Sequence, residues 1–156
     1  LTENVTMNYY FDRDFCRQGL VDYGKLCNLT EEILSEYDVA APGPDTKAKN
    51  LSGGNLQKLI LARVLTRKPR LIIANLPTQG LDVGATEFVR NKLIEAKKEK
   101  AGVLLISEDL DEVLSLSDWV APIYEGEFMD IIHGDEVLRE RIGAMMAGSR
   151  PEELAS

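Results

Sequence analysis

Five consecutive residues, Leu51-Ser52-Gly53-Gly54-Asn55, assemble the groups that bind a phosphate without using a charged side chain. Two adjacent glycines let main-chain N–H groups approach an anion closely, and the Ser52 hydroxyl adds a donor. Ser52 is a suitable N-cap, and the stretch after it reads as a helix running to about Thr66, where Lys68-Pro69 stops it. A helix N-terminus presents unpaired N–H groups and a partial positive charge, so the glycines would stand where an anion is favoured. Ser-Gly-Gly alone describes many loops. Its meaning depends on the residues downstream of it.

Other chemistry-bearing residues are sparse. Taken singly, Asp82 is an N-cap, Glu108 a solvated loop carboxylate and Leu71-Ile72-Ile73-Ala74 a buried strand. Cys16 and Cys27 are the only cysteines, they lack CxxC spacing, and His133 is the only histidine. No metal site is expected, and the two thiols are read as buried or reduced. The one Gly-Lys pair, Gly24-Lys25, lacks the upstream glycine and the hydroxyl residue of a GxxxxGK[ST] phosphate loop. The chain has 156 residues, enough for one domain or a compact domain with an appendage. Its 18 basic and 26 acidic residues give a net charge of -8, which argues against nucleic-acid binding as its main role. No apolar run approaches the roughly 18 residues of a membrane span, and no signal-peptide pattern is present.

The elements that must position these residues read as a helical first third followed by an α/β part. Residues 2 to 10 form a short helix, and Asn28 with Glu31 suggests a capping box opening a helix through Tyr37. Ala41-Pro42-Gly43-Pro44-Asp45 breaks the pattern ahead of the Ser52 helix. Beyond it, Leu71 to Ala74 and Val103 to Ile106 are short apolar runs of the kind that form buried parallel strands. Between them Asp82 caps a helix to about Lys100, with Ala85, Phe88, Val89, Leu93 and Ala96 on one face and Gly102 as its stop. A short helix over 109–116, paired strands over 119–124 and 127–132, and a last helix over 135–146 complete the reading. Two buried strands joined through a helix predict a parallel βαβ unit. So small a sheet exposes an edge and a face unless something completes it.

With these landmarks in order, Leu51 to Asn55 resembles the LSGGQ signature of ABC-type ATPases, Asn55 replacing the final Gln. Leu71 to Thr78 stands where that family has its Walker B strand, hhhhDEPT, Gly80-Leu81-Asp82 matches its D-loop, and Ile106 to Leu110 occupies its switch region. Ser117-Asp118-Trp119-Val120 resembles its SDRI segment. The finer likeness is to the second nucleotide-binding domain of sugar- and nucleoside-type importers. That domain carries LSGGNQQK and PTRGLDVGA, against LSGGNLQK and PTQGLDVGA here. The resemblance covers roughly residues 1 to 150.

It implies the C-terminal part of a P-loop NTPase domain. Residues 1–66 would be a helical subdomain that includes the signature and its helix. Residues 67–150 would be the C-terminal part of the ATPase core, a partial and mostly parallel sheet with flanking helices, and 151–156 a tail. The missing phosphate loop and a first residue that is not Met point to a piece of a longer protein. Three positions depart from the family. The magnesium-holding Asp is replaced by Asn75, the water-polarising Glu by Leu76, and the switch His by Glu108. Asn brings no charge to a cation, Leu cannot act as a base, and a carboxylate near a γ-phosphate repels it. The site built in cis is therefore expected to be degenerate, with no intact catalytic residue and no metal held by this chain. The signature is nearly intact. By the resemblance, Ser52, Gly53, Gly54 and Asn55 would contact ATP held by a second ABC ATPase domain, and Asp82 would lie at the dimer interface.

The function implied is part of the ATP-binding subunit of a bacterial sugar or nucleoside importer. It would work with Mg2+-ATP in the assembled transporter, be inactive alone, and sit at the cytoplasmic face of the membrane beside permease subunits. Tyr9, Tyr10, Phe11 and Phe15 are candidates for the permease-facing surface or for a packed core. The alternatives are a soluble, non-transport ABC-type ATPase and an inert regulatory module that kept the fold.

Overall fold

The computed structural model describes residues 1–17, 20–134 and 139–151. Two compact units divide them, Leu1–Ile72 with Pro77–Gly102, and Ile73–Leu76 with the residues from Val103 onward.

The first unit is mainly helical. It contains α1 (Thr2–Tyr9), an antiparallel pair of β1 (Cys16–Arg17) and β2 (Leu20–Val21), α2 (Tyr23–Glu36), a single 3-10 turn over Ala48–Asn50, α3 (Gly53–Leu65) and α4 (Val83–Lys98). Its core holds Val5, Tyr9, Leu26, Ile33, Leu59 and Ala62, with Phe15 packed edge-on against Tyr9 at 5.1 Å between ring centres. Burial holds the Tyr9 phenol above its usual pKa. Two expectations are corrected here. α2 begins five residues before Asn28, at an N-cap formed by Asp22, whose carboxylate accepts from the Lys25 N–H at 3.1 Å. The earlier start places Leu26 in the core, which a helix opening at Asn28 could not do. The antiparallel pair of β1 and β2, with Cys16 opposite Val21, replaces what reads from sequence as helix or loop. Both cysteines are free and half-buried.

α3 and α4 start on the caps expected for them. Ser52 Oγ accepts from the Asn55 N–H, and Asp82 Oδ1 accepts from the Ala85 N–H at 2.8 Å. α4 buries Ala85, Val89 and Leu93. Gly102 is not its stop. The helix ends at Lys98 with Glu99 as its C-cap, Lys100 beyond it is left-handed at φ +70°, the Ala101 N–H reaches back to the Ala96 carbonyl at 3.0 Å, and Gly102 opens the next strand.

β3 (Leu71–Asn75) and β4 (Gly102–Ile106) form a two-stranded sheet. The Gly102 N–H donates to the Arg70 carbonyl, and at the other end the Leu76 N–H donates to the Ile106 carbonyl at 2.8 Å, so the strands run parallel. Contrary to the reading of a run buried on both faces, burial alternates. Ile72 and Ala74 are covered, whereas Ile73 is 64% exposed and Leu104 52%. The expectation that so small a sheet leaves a face open is met at these residues.

The second unit continues with α5 (Leu110–Leu116), capped by Asp109, and two small antiparallel pairs. β5 (Trp119–Val120) pairs with β8 (Ile132–His133), and β6 (Ile123–Tyr124) with β7 (Glu127–Phe128). The turn between β6 and β7 is Glu125-Gly126, both residues left-handed, which suits the twist of a tight hairpin. α6 (Arg139–Met146) closes the core of Val120, Ile132, Ile142 and Met145. The expected helix start at residues 135–138, and the tail from residue 152, lie outside the described residues.

Candidate functional site

The site is built at the N-terminus of α3. Gly53 and Gly54 are its first two residues, so their N–H groups have no acceptor within the helix and face outward beside the Ser52 hydroxyl. Ser52 and Gly53 are exposed. The two glycines differ in what surrounds them. A Cβ on Gly54 would stand 3.2 Å from Ala85 Cβ and 3.6 Å from Asp82 Oδ2, so this glycine lets α3 close against the start of α4. A Cβ on Gly53 would meet nothing within 4 Å, and its backbone is not left-handed. Nothing in the chain's own packing requires a glycine there.

Gly54 thus brings Asp82 to the first turn of the signature helix. Asp82 spends one oxygen on capping α4 and keeps the other directed toward Gly54. Gly80, two residues before it, is left-handed at φ +72° with open space around it.

Three polar side chains, the last residue of the signature and two that follow it, act as struts. Asn55 Oδ1 accepts from the Ala40 N–H at 2.9 Å, and Asn55 Nδ2 donates to Ser52 Oγ at 3.0 Å. Gln57 Nε2 donates to the Pro77 carbonyl at 2.8 Å. Lys58 Nζ donates to the Asp38 carbonyl at 2.9 Å and to Asp38 Oδ2 at 2.7 Å, and lies 4.8 Å from the centre of the Phe88 ring. The roles of Gln57 and Lys58 were not legible in the sequence. Their only signal was that they stand as an adjacent polar pair ahead of a mostly apolar run.

The hydrogen bond from Lys58, with its charge, holds the Asp38 carboxyl below the usual carboxylate range. A depressed carboxylate contributes stability above its unfolded pKa of about 4 and loses it as pH falls through the lower folded value. Melting curves of the chain and of Asp38→Asn are expected to differ slightly at neutral pH and to converge in acid, once the carboxyl is protonated in the folded as well as the unfolded chain. A difference that persists in acid would show that the carboxylate charge is not what fastens this corner.

The three positions that depart from the family's catalytic residues lie in the second unit. Asn75 is exposed at the end of β3, Leu76 is half-buried and left-handed at φ +48°, and Glu108 is exposed after β4. Topology places them at the carboxyl ends of parallel strands, where α/β folds put their ligands. Among the described residues no group of three potential ligands is placed to hold a metal ion. An amide and an alkyl group supply no carboxylate for magnesium, so Asn75 and Leu76 do not fit that ion. A cleft of about 300 Å³ within the first unit, lined by Tyr37, Thr66, Lys92 and Glu95 among others, includes none of the signature residues. Among the described residues no helix is long and apolar enough to cross a membrane.

No protein-family model matches the sequence. Individual relatives do. The chain is 38% identical over 153 residues to a nucleoside import ATP-binding protein of Lactococcus lactis, NupA, covering 98% of this chain and 30% of that protein. It is 43% identical over 147 residues to a glucose import ATP-binding protein of Haloferax volcanii, TsgD13, covering 93% of this chain and 27% of that protein. The chain therefore spans less than a third of the length of these curated relatives. Among solved structures its fold is similar to a dimeric ATP-binding cassette in a post-hydrolysis state bound to ADP and Pi. The TM-score is 0.68 at 22% identity, covering 85% of this chain and 55% of that one.

Proposed function

Since the chain belongs to the ABC-type ATP-binding domains, we propose that it supplies the signature half of a composite ATP site in a sugar or nucleoside importer. The observation that carries the reading is Gly53. It is a glycine at a helix N-terminus that the chain's own packing does not demand, and it leaves open the approach of an anion to two unpaired N–H groups and a hydroxyl. ATP would be held by the phosphate loop of a second ATPase domain, and Ser52, Gly53 and Gly54 would donate to its γ-phosphate when the two domains close. Asp82, fixed beside Gly54, would lie at the same interface. Nucleotide supplies the free energy of closure, and closure biases the permease between its access states.

On this reading residues 1–66 form the helical subdomain, 67–150 the core portion, and the whole acts peripherally at the cytoplasmic face. The permease-facing surface narrows to Tyr10 and Phe11, which are exposed, Phe11 at 94%, whereas Tyr9 and Phe15 are spent on the core. Met7, Leu20 and Tyr23 are exposed in the same unit. The cis site is read as non-hydrolytic, because Asn75 brings no charge to a cation, Leu76 cannot act as a base, and the Glu108 carboxylate would repel a γ-phosphate.

Calorimetry with Mg2+-ATP, paired with a phosphate-release assay, tests the half-site reading. The chain alone is expected to give neither binding heat nor turnover. It should raise the turnover of an isolated cassette that has an intact phosphate loop and Asp-Glu at its strand end. Turnover by the chain alone would overturn the reading. A crosslinking survey of the assembled transporter that finds no permease contact within residues 1–40 would remove the surface assignment.

A further inference from the structure

Asn55 occupies the last position of the signature, yet its amide is turned inward. The Ala40 N–H can only donate, so the oxygen of the Asn55 amide must face it, at 2.9 Å. The amide nitrogen is thereby fixed toward Ser52 Oγ, at 3.0 Å. The Asn55 main-chain N–H also points at Ser52 Oγ, at 3.4 Å. A hydroxyl has two acceptor lone pairs and one proton. Here both lone pairs face N–H donors from a single residue, and neither donor can accept the proton.

Ala40 is itself held. It lies just past the corner at Asp38, a left-handed residue at φ +49° whose carbonyl and carboxylate both accept from Lys58. Asn55 and Lys58 lie three residues apart on α3 and grip the same corner.

We infer that Asn55 is a positioning residue that fixes the Ser52 hydroxyl as a proton donor directed away from its own helix. This rests on the reading that the signature receives a phosphate oxygen from a partner domain. It goes further by saying why an amide stands at residue 55: it orders the hydroxyl for an anion without touching the anion. A carboxylate there would keep the tie to Ala40 but accept the Ser52 proton, turning the donor inward.

The test is a double-substitution cycle. The chain and its Ser52→Ala, Asn55→Ala and doubly substituted forms are titrated against an isolated ABC cassette loaded with Mg2+-ATP. That cassette carries an intact phosphate loop and has its catalytic Glu replaced by Gln. Ser52→Ala is expected to weaken association about ten- to a hundredfold, the range for a hydrogen bond to a charged group. Asn55→Ala should approach that loss, and the double substitution should be no weaker than Ser52→Ala alone. An Asn55→Ala loss that recurs in full on the Ser52→Ala background would overturn the inference, because the residue would then act through packing rather than the hydroxyl. Ser52→Ala without effect would instead overturn the reading of the signature itself. Asn55→Asp keeps an acceptor for Ala40 and so guards against a folding artefact. It is expected to weaken association at least tenfold, and full affinity in that folded variant would also refute the inference.

Discussion

Gly53→Asp should leave the chain folded and abolish its contribution to a partner's ATP site. Position 53 is the first residue of α3, and a Cβ there meets nothing within 4 Å. An acidic side chain in the first turn of a helix is favoured by the helix dipole, typically by about 0.3–1 kcal/mol. The melting temperature should therefore stay level or rise slightly. The same carboxylate would stand where phosphate oxygens are to approach. Like unit charges about 4 Å apart near a protein surface repel by roughly 4 kcal/mol. The expected result is a loss of at least about a hundredfold in association with an ATP-loaded cassette, since each decade corresponds to about 1.4 kcal/mol. Thermal melts and a binding titration on one preparation give both numbers. A fall in stability parallel to the loss of binding would make Gly53 a structural residue. Unchanged binding would remove it from the interface.

The contrast with Gly54 shows why two adjacent glycines should not be read as one motif. Gly54 is required from within, by Ala85 and Asp82, and any larger residue there must push α3 and α4 apart by a few tenths of an ångström. Gly53 is required, on the proposed reading, only from without. Nothing in the letters Gly-Gly separates these reasons, because one depends on a helix that begins some thirty residues later in the chain.

What was legible in the sequence was mostly local. Ser52 and Asp82 cap helices by bonds to N–H groups three residues ahead, and short polar side chains before an apolar stretch announce such bonds. Local pattern also misled. Asn28 and Glu31 have capping-box spacing, but burial of Leu26 fixed the start of α2 at Asp22 instead. The struts from Asn55 and Lys58 span 15 and 20 residues, so no local rule could disclose them. The apolar run of β3 was legible as strand but not for its faces, since an all-apolar run looks the same whether one side or both are covered.

That open face leads to the other large effect. Ile73, Leu104 and Ile106 are 64%, 52% and 47% exposed. The bond from the Leu76 N–H to the Ile106 carbonyl sets Asn75 beside Ile106, and therefore Ile73 beside Leu104, on one surface of the sheet. Covering a large aliphatic side chain completely contributes about 1.5–3 kcal/mol. Covering these half-exposed ones would contribute on the order of 1 kcal/mol each, together more than a hundredfold in an association constant. The chain alone should therefore bind a hydrophobic dye and show concentration-dependent self-association. Ile73→Lys with Leu104→Lys should suppress dye fluorescence and association at least tenfold, as measured by sedimentation. Stability should change by no more than about 0.5 kcal/mol, as expected for exposed positions. The alternation of burial along β3 makes that second number decisive. Lysines that destabilise the chain by several kcal/mol would mean that these side chains are covered in solution by the chain's own residues, and the exposed face would have to be withdrawn.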